Sequence, residues 1–387
     1  MFDEILLALW SAAGLAWWVV AWWLVNAEER AIASPAGAGP ALPALSIFKP
    51  LPPLEGRGPA PFARGLESFV AQLAPADELL LGVHESDRAS VEPLVAALRK
   101  RFPGARVRVI FRAAADAVAN PKIAWQMHLA PYAAGELWLW SDADIVAPPG
   151  FLHDARREFA RDNAAMMTFP YVVKEIPAPS ALIEALFVNA DFYPGVLLLR
   201  GRGAVDFGLG AAMLFERDAF LDRVDWEALG ACLADDFQLG QRLAPVRIGR
   251  VTLETVAAAR SWPEALRRDL RWTKTIRWNR PGGAFARIVI LPVLGWVVAV
   301  ALHPAQLFAW AGLLGMIQAD VVAAMAISRA AGCRLEVRDA VGLQLWSVWR
   351  AVVWVLAWLP VPVTWSGRAW REPRAAVLKS LDAGYPD

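Results

Sequence analysis

The chain carries, at positions 5–25, an uncharged apolar run, "ILLALWSAAGLAWWVVAWWLV", whose 21 residues are enough to cross about 30 Å of hydrocarbon as a helix. A secretory signal is the competing reading. The run has no basic segment before it, exceeds the usual apolar core of a signal, and leads into "NAEER" without a small-x-small cleavage pattern. It therefore predicts a retained membrane span. Positions 33–43, rich in Pro, Gly and Ala, carry neither helical nor strand period and predict a linker. From 45 to about 260, strand-like and helix-like segments alternate: "LSIFK", "ELLLGV", "VEPLVAALRKRF", "ARVRVIF", "ELWLW", "FLHDARREFARD" and "AAMMTFPYVV". Such alternation predicts an α/β fold, a mostly parallel sheet covered by helices.

Hydrophobicity returns beyond "RWNRPGGAFAR". Positions 288–302 and 305–327 predict two helices that form a hairpin around His303 and Pro304. A last apolar stretch, "LWSVWRAVVWVLAWLPVPVTW" at 345–365, is interrupted by Arg350 and broken near its end by Pro360 and Pro362. Arg329, Arg334 and Arg338 precede it, and Arg368, Arg371, Arg374 and Lys379 follow it. Basic flanks prefer one side of the bilayer, which favours a re-entrant or interfacial segment over a fourth span. The expected layout is a span at 1–27, a linker at 28–44, an α/β domain at 45–282, a membrane hairpin at 283–330, and a re-entrant or spanning segment with a basic tail at 331–387.

Composition agrees with part of the chain lying in lipid: 57% of 387 residues are hydrophobic, 20 are Trp, and the mean hydropathy is +0.36. A net charge of +1 offers no global attraction to nucleic acid, so only local clusters of Lys and Arg bear on partners. Two cysteines, Cys232 and Cys333, are too few and too far apart for a disulfide framework or a zinc site. They read as packing residues.

Chemistry enters at "ELWLWSDADI", positions 136–145, where a doubly buried strand breaks off into Asp142 and Asp144. Functional residues of α/β domains stand just beyond the carboxyl ends of such strands. An Asp-x-Asp there can hold a hard divalent cation, which neutralises a diphosphate and stabilises it as a leaving group. Taken alone the pair also fits an ordinary solvated loop. Further features lie in the same domain: "GVHESDRAS" after an earlier strand, "LADDFQLGQRL" entering a helix, and "RRDLRWTKTIRW" before the second apolar region.

In that order these motifs resemble the acidic motifs and final RxxRW or QxxRW motif of membrane-bound family 2-like glycosyltransferases with a GT-A (Rossmann-like) fold. "FKPL" at positions 48–51, "NPK" at 120–122 and "DLRWTKTIRWNR" bring the resemblance closest to the ceramide glucosyltransferase family and its bacterial relatives that glycosylate hopanoid lipids. It covers about 45–280. The resemblance implies an inverting hexosyltransferase that moves one sugar from a nucleotide sugar, UDP-hexose above all, to a lipid hydroxyl, with a divalent cation (Mg2+ or Mn2+). It also implies an integral protein of a bacterial inner membrane whose catalytic domain faces the cytoplasm.

By position, Asp87 matches the family's first acid near the nucleotide, Asp142 its metal-site acid and Asp236 its general base, with Asp235 adjacent. An inverting transfer needs a carboxylate opposite the leaving diphosphate to take the acceptor proton as C1 gains oxocarbenium character. Arg268, Arg271 and Trp272 supply the final motif: the arginines can clamp diphosphate oxygens and the indole can wall the acceptor entrance. Lys122 can approach the same phosphates. The chain departs from the family in "HESD", which is less acidic than usual there, and in "DAD" where animal ceramide enzymes carry "DSG", so the sugar need not be glucose. Asp144 is either a second metal ligand or lies behind the first. Plainer readings stand beside these. Asp87 can simply end a strand, Asp235 and Asp236 can cap a helix, and the basic run from Arg267 to Arg280 can be an interfacial helix meeting anionic lipid. His84 and His128 match no metal-ligand spacing. A processive polysaccharide synthase and a non-catalytic membrane scaffold are the rival functions; the first usually needs more spans, and the second needs no ordered motifs.

Overall fold

The computed structural model describes residues 2–29, 42–56, 58–113, 117–258 and 260–371. Most of the expected linker (33–41), together with Arg374 and Lys379, lies outside the described residues. Contacts divide the chain into two units, one of residues 31–172 and 196–256, the other of 1–30, 173–195 and 257–387. Residues 173–195, inside the stretch expected as one domain, thus group with the apolar helices.

Ten short strands build the α/β unit: β1 (Leu45–Pro50), β2 (Glu78–His84), β3 (Arg106–Arg112), β4 (Leu137–Ser141), β5 (Ile145–Val146), β6 (Met166–Thr168), β7 (Tyr171–Val173), β8 (Ala212–Glu216), β9 (Val246–Ile248) and β10 (Leu253–Thr255). A seven-stranded sheet runs β3-β2-β1-β4-β8-β6-β9, and a three-stranded one β5-β10-β7. Strands β3, β2, β1 and β4 are parallel, with Ile47 opposite Leu79 and Leu139. β8 is antiparallel to both β4 and β6. The mostly parallel α/β sheet expected of a GT-A domain is therefore present, with β8 as its reversed member.

Successive strand residues point to opposite faces, so a strand apolar throughout demands cover on both. Leu45, Ile47, Leu79, Leu81, Leu137 and Leu139 pack on one face with Phe69, Val95 and Phe151 from helices Ala60–Val70, Arg88–Arg101 and Phe151–Asp162. Phe48, Leu80, Trp138 and Trp140 pack on the other with Ile123, Phe215, Phe220 and Leu239. Each fully buried aliphatic side chain contributes about 1.5–3 kcal/mol. Because β1 to β4 run in parallel, the segments after Pro50, His84 and Ser141 all leave from one edge of the sheet. "AAMMTFPYVV" does not form one strand: Pro170, which lacks an N–H, separates β6 from β7, and its carbonyl accepts from Leu253 N at 2.8 Å.

The other unit is helical. Glu4–Glu28, Pro179–Arg202 (of which residues 196–202 belong to the α/β unit), Leu307–Ala330 and Val337–Ala357 are each long and apolar enough to cross a membrane. The continuous helix expected at 288–302 is instead broken. Pro281–Ile290 and Val293–Leu302 are bent by 67°, because Leu291 precedes Pro292 and leaves the helical region at φ −123° and ψ 49°. The hairpin turn at His303 and Pro304 lies where expected, between Val293–Leu302 and Leu307–Ala330. The last apolar stretch splits into a helix, Ala340–Ala357, and a small hairpin of β11 (Val363–Trp365) and β12 (Arg368–Trp370). Arg350 sits inside that helix, buried.

The sequence reading missed the helix from Pro179. Its apolar pattern is cut by Glu184, Asn189 and Asp191, yet all three are buried on partners: Arg260 and Arg268 for Glu184, the Val173 backbone for Asn189, and Arg287 and Arg350 for Asp191.

Candidate active site

Beyond the carboxyl end of β4 the chain turns through Asp142, Ala143 and Asp144 into β5. Lys49, fully buried in β1, holds this turn from below. Its ammonium donates to Ser141 Oγ at 3.1 Å, Asp142 O at 2.7 Å and Ile145 O at 3.2 Å, and lies 3.9 Å from the Phe69 ring centroid. Burial pushes the Lys49 ammonium down to about 7, against the opposing pull of Asp144 and Asp142. Helix Ala60–Val70 closes under the same turn at Gly65, where a Cβ would stand 2.6 Å from Ala143 O, so only glycine fits. Asp144 Oδ2 meets Thr255 Oγ1 of β10 at 3.4 Å. The Asp142 side chain is 42% exposed and takes Lys122 Nζ at 2.6 Å.

Lys122 stands in the first turn of helix Pro121–Leu129. Asn120 caps that helix by accepting from Lys122 N and Ile123 N, with Pro121 at the position where a missing N–H costs nothing. The Asn120 amide also donates to Cys232 O at 2.9 Å and Asp235 Oδ1 at 3.2 Å. One buried asparagine thereby ties the "NPK" helix to the "LADDFQLGQRL" helix, Asp235–Arg242. Lys122 Nζ donates to Gly210 O at 2.9 Å and lies 3.9 Å from Asp235 Oδ2. Asp236 accepts from Gly210 N at 3.0 Å through Oδ2 and from Phe237 N at 2.8 Å through Oδ1. A Cβ on Gly210 would come 3.1 Å from Asp236 Oδ2, so a bare α-carbon suits this contact.

Electrostatics here follow first from burial. Burial, then the neighbouring Asp235, raises the Asp236 carboxyl to about 6. The Asp235 carboxyl is raised as well, by burial first, although Lys122 pulls the other way. For Lys122 burial acts to lower the ammonium, but Asp142 and then Asp235 outweigh it, and the net shift is upward. A carboxylate poised near neutral pH beside a permanently charged lysine is suited to taking a proton.

Lys122, Asp142, Asp235 and Asp236 are thus gathered in the α/β unit, with Asp144 two residues away on the same turn. Asp87, at the end of the short 3-10 turn Glu85–Asp87, accepts from Leu54 N at 3.0 Å. Its side chain makes no cap to helix Arg88–Arg101, and instead binds together the segments that follow β1 and β2. Asp235 and Asp236 occupy the first helical turn, while the cap position is Ala234.

The final motif belongs to the helical unit, on Trp262–Asn279. Arg268 is buried and paired with Glu184 and Asp269. Arg271 lies over the Trp365 ring at 5.6 Å, and Trp272 packs on Phe187 at 5.3 Å. Lys274, also buried, donates to Leu359 O at 2.7 Å and Val361 O at 2.6 Å. Two of the basic residues that suggested a lipid-facing stripe are therefore turned inward.

Sequence reasoning assigned no role to Lys49, Asn120 or Gly210. A lysine within an otherwise apolar strand and an asparagine directly before Pro121 were the available signals.

No group of three or more His, Cys, Asp or Glu able to hold a metal exists among the described residues. Two carboxylates on one turn do fit Mg2+ or Mn2+, since such ions take one or two protein carboxylates and complete their shell with phosphate oxygens and water.

The sequence model of glycosyl transferase family 21 matches residues 6–373. No curated protein matches the chain. Among solved structures it is similar to the mannosyltransferase PcManGT from Pyrobaculum calidifontis in complex with GDP-Man and Mn2+, at 15% identity over 91% of this chain and 100% of that one, with a TM-score of 0.47. It is also similar to S. aureus TarS in complex with UDP-GlcNAc, at 11% identity over 86% and 97%, with a TM-score of 0.37.

Proposed function

We propose, from the premise that the chain belongs to glycosyl transferase family 21, that it transfers one hexose from a nucleotide sugar, UDP-hexose above all, to a lipid hydroxyl with inversion at C1. The observation that carries this reading is the partly buried group of Asp142, Asp235 and Asp236 around Lys122, just beyond β4. Asp236 is the general base: its carboxylate is held on the Gly210 and Phe237 amides and raised to about 6, a value suited to accepting the acceptor proton. Asn120 fixes the neighbouring Asp235, whose charge helps to raise Asp236. Lys122 bears on the diphosphate, and Asp87 orders the loops that receive the nucleotide. Arg268, Arg271 and Trp272 are assigned to donor binding by their motif alone; Arg268, already paired with Glu184 and Asp269, serves by fixing the turn that carries the other two.

Asp142 and Asp144 would hold the divalent cation, which supplies charge neutralisation of the departing diphosphate. Lys49 keeps their turn in shape. The apolar helices fit an amphiphilic acceptor, ceramide-like or hopanoid, drawn from a bilayer, with the α/β unit on the cytoplasmic side of an inner membrane.

Mass spectrometry of lipids gained on expression tests the reading: a new monoglycosylated lipid is expected, lost in Asp236→Asn. A polymer would favour a processive synthase, and no product or donor hydrolysis with any nucleotide sugar a scaffold. A cysteine placed at Gly58 should react with an impermeant reagent only after permeabilisation, and reaction in intact cells would overturn the orientation.

A further inference from the structure

Lys122 is an ammonium in the first turn of helix Pro121–Leu129, where the positive end of the helix dipole disfavours a cation. Acids from two other elements outweigh that cost: Asp142 Oδ1 at 2.6 Å and Asp235 Oδ2 at 3.9 Å. Gly210 O at 2.9 Å fixes a further donor direction. Asp235 Oδ2 is buried and makes no hydrogen bond among the described residues, so the ion pair at 3.9 Å leaves it able to draw Lys122 when Asp142 is taken by another cation. The carboxylate that Lys122 grips is the one to which the cation is assigned above. Two cations on one carboxylate repel each other, and in a partly buried group that repulsion is weakly screened. A lysine side chain can be relieved without backbone motion, because its charge rides on a flexible four-carbon stem.

We propose that Lys122 competes with the divalent cation for Asp142, so that the donor-free protein keeps Lys122 on Asp142 and admits the metal well only together with a nucleotide diphosphate, which accepts the displaced ammonium. This rests on Asp142 being the cation-binding acid. Metal and nucleotide then reinforce each other reciprocally, because each favours the same released state of Lys122. Lys122 is in this sense a positioning residue for Asp142 before the donor arrives and a diphosphate ligand afterwards.

The test is Mn2+ binding to the full-length protein in detergent, read from the electron paramagnetic resonance signal of free Mn2+, with and without UDP. Parent protein should bind Mn2+ roughly tenfold more weakly without UDP than with it, and Lys122→Met should bind Mn2+ alone roughly tenfold more tightly than the parent, a coupling of ordinary size. Lys122→Arg keeps the cation and should keep the parental dependence on UDP. Lys122→Gln repeats the measurement if the Met variant fails to fold. A folded neutral variant that binds Mn2+ alone no more tightly than the parent would overturn the competition. The outcome for Asp142→Ala separates the two levels: Mn2+ and UDP binding at the parental level would remove the cation assignment itself, whereas loss of both with no gain in Lys122→Met would remove only the competition.

Discussion

Buried charge is organised differently in the two units. In the helical unit two arginines meet two carboxylates. Arg350 reaches Asp191 at 3.1 Å and Asp320 at 3.0 Å, Arg287 returns to Asp191 at 2.9 Å, and Trp18 donates to Asp320 at 2.8 Å. Ser347 adds its hydroxyl to Asp320. In the α/β unit Lys122 faces Asp142 and Asp235, with Asp236 beside them and Lys49 beneath the turn that carries Asp142 and Asp144. The first group is balanced in charge and joins five helical segments that are distant in sequence. The second is acid-rich, with four carboxylates about two lysines, and its Asp235 and Asp236 carboxyls are raised by burial first and then by the neighbouring acids. Evolution tolerates such an imbalance where another cation or developing positive charge completes the group, which is the physical reason to place chemistry at Lys122 and architecture at Arg350.

The sharpest way to break that comparison is Arg350→Met. It strands Asp320 without its cation, and should cost about 3–5 kcal/mol in stability, read from unfolding in detergent. Turnover per folded molecule should hold. A stable variant that has lost turnover would place Arg350 with the chemistry instead.

Asp236→Asn comes next. Transfer should fall roughly 10²-fold or more while donor affinity and unfolding stay parental, because the amide keeps size but cannot take a proton. Near-parental turnover would remove Asp236 as the base. Asp142→Ala should abolish metal-dependent UDP binding in calorimetry, and Asp144→Ala should weaken it by roughly tenfold, the usual scale for a supporting ligand. Equal effects of the two would show that both acids hold the cation directly.

The pH dependence sharpens the same contrast. Asp236 is raised to about 6 by burial and Asp235, so its basic form is lost as pH falls through that value. Transfer should therefore rise by about tenfold per unit below about pH 6 and level off above it. A rate that is flat from pH 5 to 7 would mean that another group takes the proton. The smallest expected effect belongs to Asp235→Asn. It should slow transfer less than Asp236→Asn, yet raise stability by about 1 kcal/mol at neutral pH, because it removes a buried charge that the site tolerates for function.

What was legible in the sequence was local. The apolar runs that became β1, β2 and β4, the amphipathic stretches that cover them, and the acids at the end of "LWLW" follow from strand and helix periods and from the cost of burying polar groups. The family resemblance rested on motifs of the same short range, and it held. Tertiary structure alone decided how those pieces meet. It reversed β8 between β4 and β6, parted β6 from β7 at Pro170, bent the helices at Pro292, and buried the polar residues of the Pro179 helix on distant partners. It also brought Lys49 under Asp142 across 93 residues, Lys122 to Gly210 across 88 and Asn120 to Asp235 across 115. No periodicity within a window of ten or twenty residues records such pairings. They arise because a parallel sheet returns its strands to one edge, and charged groups left at that edge must find partners there or remain unsatisfied.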